Sequence, residues 1–144
     1  MLERVTNWWL VGGAILSFSA ALAHIGVIIV GPSWYRLFGA GESMARQAEA
    51  GSVYPGLITF GIASVLAVWG MFALSGAGVL PPFPLLKWGL LGITSVYLLR
   101  GLIVVPAAIF DTKFQTSFWL VSSSICTGFG IVHFIGLWKY WSDF

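Results

Sequence analysis

The sequence predicts an all-α integral membrane protein, with four transmembrane helices in an antiparallel bundle and a short helical cap in the 31–55 loop. Three observations lead there. Of the 144 residues, 58% are hydrophobic and only 8% are charged, where a water-soluble domain carries about 25% charged residues. Mean hydropathy is +0.93. The apolar residues fall in four continuous runs, each close to or above the roughly 20 residues that a bilayer-crossing helix needs. Strands of a membrane barrel would alternate apolar and polar residues. These runs do not alternate, and a helix satisfies its own backbone in lipid. The composition also excludes disorder. A net charge of +2 leaves no basic face for nucleic acid.

The first span, about residues 8–30, lies in a stretch from Val5 to Tyr35 without Asp, Glu, Lys or Arg. Arg4, the apolar run and Ala21-Leu22-Ala23 imitate a secretory signal with its cleavage site. The run continues through His24 to Val30, which favours a retained helix. The 31–55 loop follows. Within it, residues 42–50 have good helix propensity, Glu42 and Arg46 are spaced for an i,i+4 ion pair, and Gly51 is placed to end the helix. Pro32 precedes Trp34, Tyr35, Leu37 and Phe38, which read as interfacial anchors. A structured loop of this length is more often functional than an average loop, and a plain surface connection is the equal alternative.

The second span is expected at about 56–75. Pro81-Pro82-Phe83-Pro84 then blocks helix until the third span, about 85–110, which holds Lys87 near its start and Arg100 inside. Pro106 predicts a kink near its end. A tight turn leads to the fourth span, about 117–141. The whole chain, 1–144, reads as one domain.

Small residues should mark the contact faces of helices in lipid. They recur as Gly13, Ser17 and Ala21; as Thr59, Ala63 and Ala67; as Gly89, Gly92 and Gly101; and as Ser122, Ser123, Cys126, Gly130 and Gly136. Four spans put both termini on one side. Arg4, Lys87 and Lys139 lie there, and Arg36, Arg46 and Lys113 on the other, so the positive-inside count ties. Trp8, Trp9, Trp88, Trp138, Tyr140 and Trp141 gather at the terminal side, and Trp34, Tyr35, Tyr54 and Trp119 at the opposite interface. The expectation is a bacterial inner-membrane protein with cytoplasmic termini.

Arg100 is the sharpest chemical feature. A charge at that depth costs at least ~2.5 kcal/mol on insertion scales, which makes it a functional-site candidate. Tyr97 lies one turn before it. A structural arginine, bonded to carbonyls or paired with Asp111 or Glu42, is the alternative. His24 shares a face with Ser17, Ala20 and Ala21 and lies toward the long-loop side. A ligand-binding set of His24, Tyr97, Arg100, Trp34, Tyr35 and Glu42, beneath the 31–55 loop, would hold a lipophilic molecule with a polar or anionic head: a quinone, fatty acid, isoprenoid or lipid. His133 shares a face with Ser122, Cys126, Phe129 and Gly130. His24 and His133 are weak candidates as haem b ligands, because they differ in depth by about 13 Å at 1.5 Å per residue.

No catalytic residue and no metal site emerges. Cys126 has no partner for a disulfide. Acid–base groups are few, so a binding protein is favoured over an enzyme. A structural or assembly subunit, meeting a second copy or another membrane protein through its small-residue faces, is the main alternative. A haem b or quinone redox subunit using His24 is the third. The overall shape, with the Arg100-Gly101 step in the third span, resembles small four-helix bacterial membrane proteins of the DoxX-like kind; no diagnostic motif carries that resemblance, and no family is claimed from it.

Overall fold

A computed structural model describes residues 5–144; Arg4, counted above among the terminal-side cations, lies outside the described residues. Most of those residues are helical, with no strand among them. In order they form α1 (Trp8–Val30), α2 (Pro32–Leu37), α3 (Glu42–Glu49), α4 (Tyr54–Gly76), α5 (Leu86–Leu102), α6 (Val104–Phe110) and α7 (Ser117–Lys139), with 3-10 turns at Thr112–Gln115 and Trp141–Asp143. Four of these stretches are long and apolar enough to cross a membrane: Trp8–Val30, Tyr54–Gly76, Leu86–Phe110 and Ser117–Lys139. The protein is therefore read as a membrane protein. Large apolar side chains stay exposed along every span, among them Leu22, Val65, Leu99 and Val121. Water would not tolerate so continuous an apolar surface; lipid does.

The boundaries have local causes. α4 begins two residues before the expected start, because Pro55 is tolerated in a first turn and the Ser52 hydroxyl accepts from the Tyr54 N–H at 3.3 Å. The third span is interrupted at Ile103, between α5 and α6. Pro106 lacks the N–H that would bond the Leu102 carbonyl, and its ring crowds that carbonyl.

The chain groups into two compact units. One holds the described residues up to Leu16 together with Trp69–Phe144; the other is Ser17–Val68. In the first, Asn7 is the anchor. Its side-chain oxygen accepts from the Leu10 N–H at 3.2 Å, capping α1 in the usual Asn manner. Its side-chain amide donates to the Gly136 carbonyl at 2.9 Å, and its backbone N–H to the Ala77 carbonyl at 3.1 Å. Beside it, Leu10, Ala77, Leu86, Leu90 and Leu137 form a buried cluster. Ser75 is fully buried. Its hydroxyl donates to the Pro81 carbonyl at 2.7 Å and accepts from the Phe83 N–H at 3.0 Å, which fastens the proline-rich loop to the end of α4.

In the second unit, Val27, Tyr35 and Ala45 are buried together, with Trp34, Met44 and Ala48 packed on them. The Trp34 ring fills the space that a side chain at Gly26 would need. The end of α3 explains itself in backbone terms. Gly51 adopts φ +78°, a left-handed conformation glycine enters without a Cβ penalty. There the Ser52 N–H reaches the Gln47 carbonyl (2.9 Å) and the Gly51 N–H reaches that of Ala48 (3.1 Å), which is a Schellman closure. Gly39, at φ +70°, closes α2 in the same way.

Candidate functional site

Arg100 stands near the end of α5, and α7 supplies its surroundings. Three contacts fix how these helices meet: Tyr97 packs on Phe129 and His133, Gly130 lies against Leu98, and Gly101 lies against Ser123 and Thr127. By that register, the Arg100 backbone is level with residues 126–127 of α7. Its guanidinium is not. Nη1 donates to the Ser123 hydroxyl at 3.1 Å and Nη2 to that of Ser122 at 3.2 Å. The guanidinium carbon sits 5.0 Å from the centroid of the Trp119 ring, a cation–π distance. The side chain thus reaches about one turn, ~6 Å at 1.5 Å per residue, toward the Ser117 end of α7. This is snorkelling, a charged head leaving an apolar stem behind.

Gly101 makes the reach possible. A side chain there would collide with the Thr127 hydroxyl and the α7 backbone, so glycine lets the two helices close up beside Arg100. The Trp119 ring is held in turn by Phe114 at 4.9 Å and Phe118 at 5.6 Å, and the Lys113 ammonium lies over Phe114. No carboxylate pairs with Arg100 among the described residues. Asp111 pairs with Lys113 at 3.3 Å, and Glu42 with Arg36 and Arg46 at 2.9 Å and 3.2 Å. The pairings of Arg100 weighed on sequence grounds, with Asp111 or Glu42, are therefore not the ones formed. Two neutral hydroxyls and an aromatic face take their place.

The Tyr97 ring, three residues before Arg100 on α5, sits in an aromatic cluster. It packs with Trp69, Phe129 and His133 at centroid distances of 5.0, 5.4 and 5.2 Å. His133 is fully buried. Its Nδ1–H donates to the Phe129 carbonyl at 2.8 Å, and Nε2 has no hydrogen-bond partner among the described residues. A Cβ at Gly13 would lie 2.9 Å from Nε2, so α1 covers the edge of the ring that an axial haem ligand would present. The geometry at His133 does not fit haem iron.

The other expected site residues lie in the second unit. His24 donates from Nδ1 to the Ala20 carbonyl of its own helix at 2.7 Å. Trp34 and Tyr35 are packing residues there, and the Thr59 hydroxyl bonds the Pro55 carbonyl at 2.8 Å and approaches the Tyr35 oxygen at 3.5 Å. Glu42 belongs to an exposed ion network. Arg36 grips it through two nitrogens, at 2.9 and 3.0 Å, and reaches Glu49 at 2.8 Å. The hydrogen bond from Arg36 holds the Glu42 carboxyl down to about 2, and those from Glu42 and Glu49 raise Arg36 further. The Asp111 carboxyl is also held low, chiefly by the backbone N–H of Lys113. A surface groove of about 470 Å³ runs along Glu42, Ser43, Arg46, Gln47 and Ala50; it includes none of the intramembrane polar residues.

Ser122 and Ser123 were legible as polar residues, but only as helix-to-helix glue. Their adjacency was the available signal: neighbours on a helix diverge by about 100°, so both face one group only if that group sits between them. Among the described residues no cluster of three His, Cys, Asp or Glu side chains could hold a metal ion. No protein-family model, curated protein or solved structure matches the chain.

Proposed function

We propose that this protein binds, at Arg100, the polar or anionic head of a lipophilic molecule: a quinone, fatty acid, isoprenoid or lipid. The observation that carries the reading is a guanidinium inside a span that, among the described residues, donates side-chain hydrogen bonds to the Ser122 and Ser123 hydroxyls alone. Arginine offers five N–H donors. Two are spent on the serines, which leaves three, and a charge facing neutral acceptors attracts any electron-rich group that can reach it. Arg100 is partly exposed, so it can be reached.

The reading places the chain in a bacterial inner membrane, with both termini in the cytoplasm and the four spans as one antiparallel bundle. The short connections that follow the second and third spans support that arrangement. So does the α5–α7 register, in which residue numbers fall along one helix as they rise along the other. The test is native mass spectrometry of protein released from mild detergent. A small-molecule adduct at one per chain, lost in Arg100→Leu with helical content unchanged, is the expected result. Equal adducts in both proteins would overturn the reading.

A second reading rests on a different observation. Gly61, Gly92 and Gly128 each face open space, and small residues on an outer face let another helix approach closely. An assembly subunit would use such faces. A chain always released with a protein partner, and without an Arg100-dependent adduct, is the outcome that favours it.

A further inference from the structure

We infer that the Arg100 site selects an oxyanion carried on an acyl chain, a carboxylate or phosphate head lying at the membrane interface on the Ser117 side. This rests on the reading of Arg100 as a binding residue and narrows its ligand class.

Depth is the first ground. Measured by the helix contacts, Arg100 starts about a turn deeper than the groups its guanidinium touches. Those groups, Ser122, Ser123 and Trp119, lie in the first two turns of α7. Beyond them come Phe114, Lys113 and Asp111, the mixture of aromatic and charged residues that marks head-group level. The unspent donors are therefore offered where lipid oxyanions sit. A neutral quinone or isoprenoid ring, which prefers the hydrocarbon, would meet them only by leaving it.

Charge is the second. The acidic side chains of Glu42, Glu49 and Asp111 are each held by another cation. Serine hydroxyls orient the guanidinium without neutralising it. A planar fork with unspent N–H groups matches two oxygens of a carboxylate or phosphate. A lone carbonyl oxygen would fill one position and leave the charge unmatched. The indole of Trp119 on the guanidinium face restrains the plane.

The chain leading away from such a head would run in the lipid beside Leu99, Ile103 and Leu120, all exposed.

The experiment loads delipidated protein in a maltoside detergent with oleate, dioleoyl phosphatidylglycerol or a short-chain ubiquinone in parallel. Retention is read by native mass spectrometry for wild type, Arg100→Leu, Arg100→Lys and the double variant Ser122→Ala/Ser123→Ala. Retention of oleate, of phosphatidylglycerol or of both is expected to fall about tenfold or more in Arg100→Leu, the loss of a hydrogen-bonded ion contact. Arg100→Lys should fall between, because the charge remains and the fork is gone. The relative retention of the two probes identifies carboxylate or phosphate as the head. Ubiquinone retention that depends on Arg100, with both anions indifferent to it, overturns the oxyanion inference and leaves the binding reading standing. No Arg100 dependence for any probe overturns both. Should Arg100→Leu fail to fold, Arg100→Lys and the serine double variant carry the same comparison.

Discussion

The imidazole of His133 occupies the space in which Gly13 would carry a side chain: a Cβ built there lies 2.8 Å from Cε1 and 2.9 Å from Nε2. Neither partner can change alone without disturbing the other. Gly13→Ala should destabilise by about 1–3 kcal/mol, the usual penalty of overpacking a filled interior. The double variant Gly13→Ala/His133→Ala should lose less than the sum of the singles, with a coupling of about 0.5–3 kcal/mol. Thermal or denaturant unfolding in detergent reads all four corners of that cycle.

Asn7 should matter more than its place ahead of the first span suggests. Asn7→Ala removes the cap of α1, about 1 kcal/mol, and also the donor to the Gly136 carbonyl, about another 1 kcal/mol. Asn7→Ser restores a capping oxygen but cannot reach Gly136. The expected order of midpoint temperatures is wild type, then Ser, then Ala; equal losses for Ser and Ala would mean the cap contributes nothing.

Ser75 makes a comparable prediction for the proline-rich loop. Ser75→Ala strands the Phe83 N–H and the Pro81 carbonyl, at a cost of about 1–3 kcal/mol. Hydrogen exchange at the Phe83 amide should quicken in the variant while amides in the middle of α7 stay protected. Unchanged exchange at Phe83 would show that the hydroxyl does not hold the loop.

Acid should loosen the α2–α3 pair. The Glu42 carboxyl sits at about 2 because Arg36 bonds it, below the ordinary glutamate value of about 4.3. A depressed carboxyl contributes stability that is fully present above about 4.3 and is lost as pH falls toward 2. An NMR titration of the Glu42 carboxyl should find a midpoint near 2, and Arg36→Gln should return it toward the ordinary range. A normal midpoint in the wild type would mean that solvent screens the pair away.

The spans were legible because composition decides them: four uninterrupted apolar runs can do little else in lipid. The Glu42–Arg46 pair was legible from spacing on one helix. Its stronger partner, Arg36, was not, since the grip depends on the turn through Gly39 that folds α2 back on α3. Tyr97 and Arg100 share a helical face by sequence, but the aromatic cluster that takes the Tyr97 ring and the two serines that take the Arg100 guanidinium are supplied largely by α7, which no spacing within α5 reveals. Gly92 was expected on a contact face and lies exposed; a small residue shows where close approach is allowed, not where it happens. Asn7 carries a cap signal in the sequence itself, an asparagine directly before an apolar helical run.

Arg100 also ties the protein to the electrical state of its membrane. A cation met by two hydroxyls and an indole face, with no carboxylate beside it among the described residues, is a net charge in the field. Carrying one elementary charge through a potential of 100 mV takes about 2.3 kcal/mol. Shifting the guanidinium by one helical turn, about 5.4 Å of a roughly 30 Å core, takes about 0.4 kcal/mol of that. Such a bias is less than RT, about 0.6 kcal/mol at room temperature. It can tilt the residence of the side chain between its serine cradle and a position one turn deeper along α5, and it is too small to drag α5 through the bilayer.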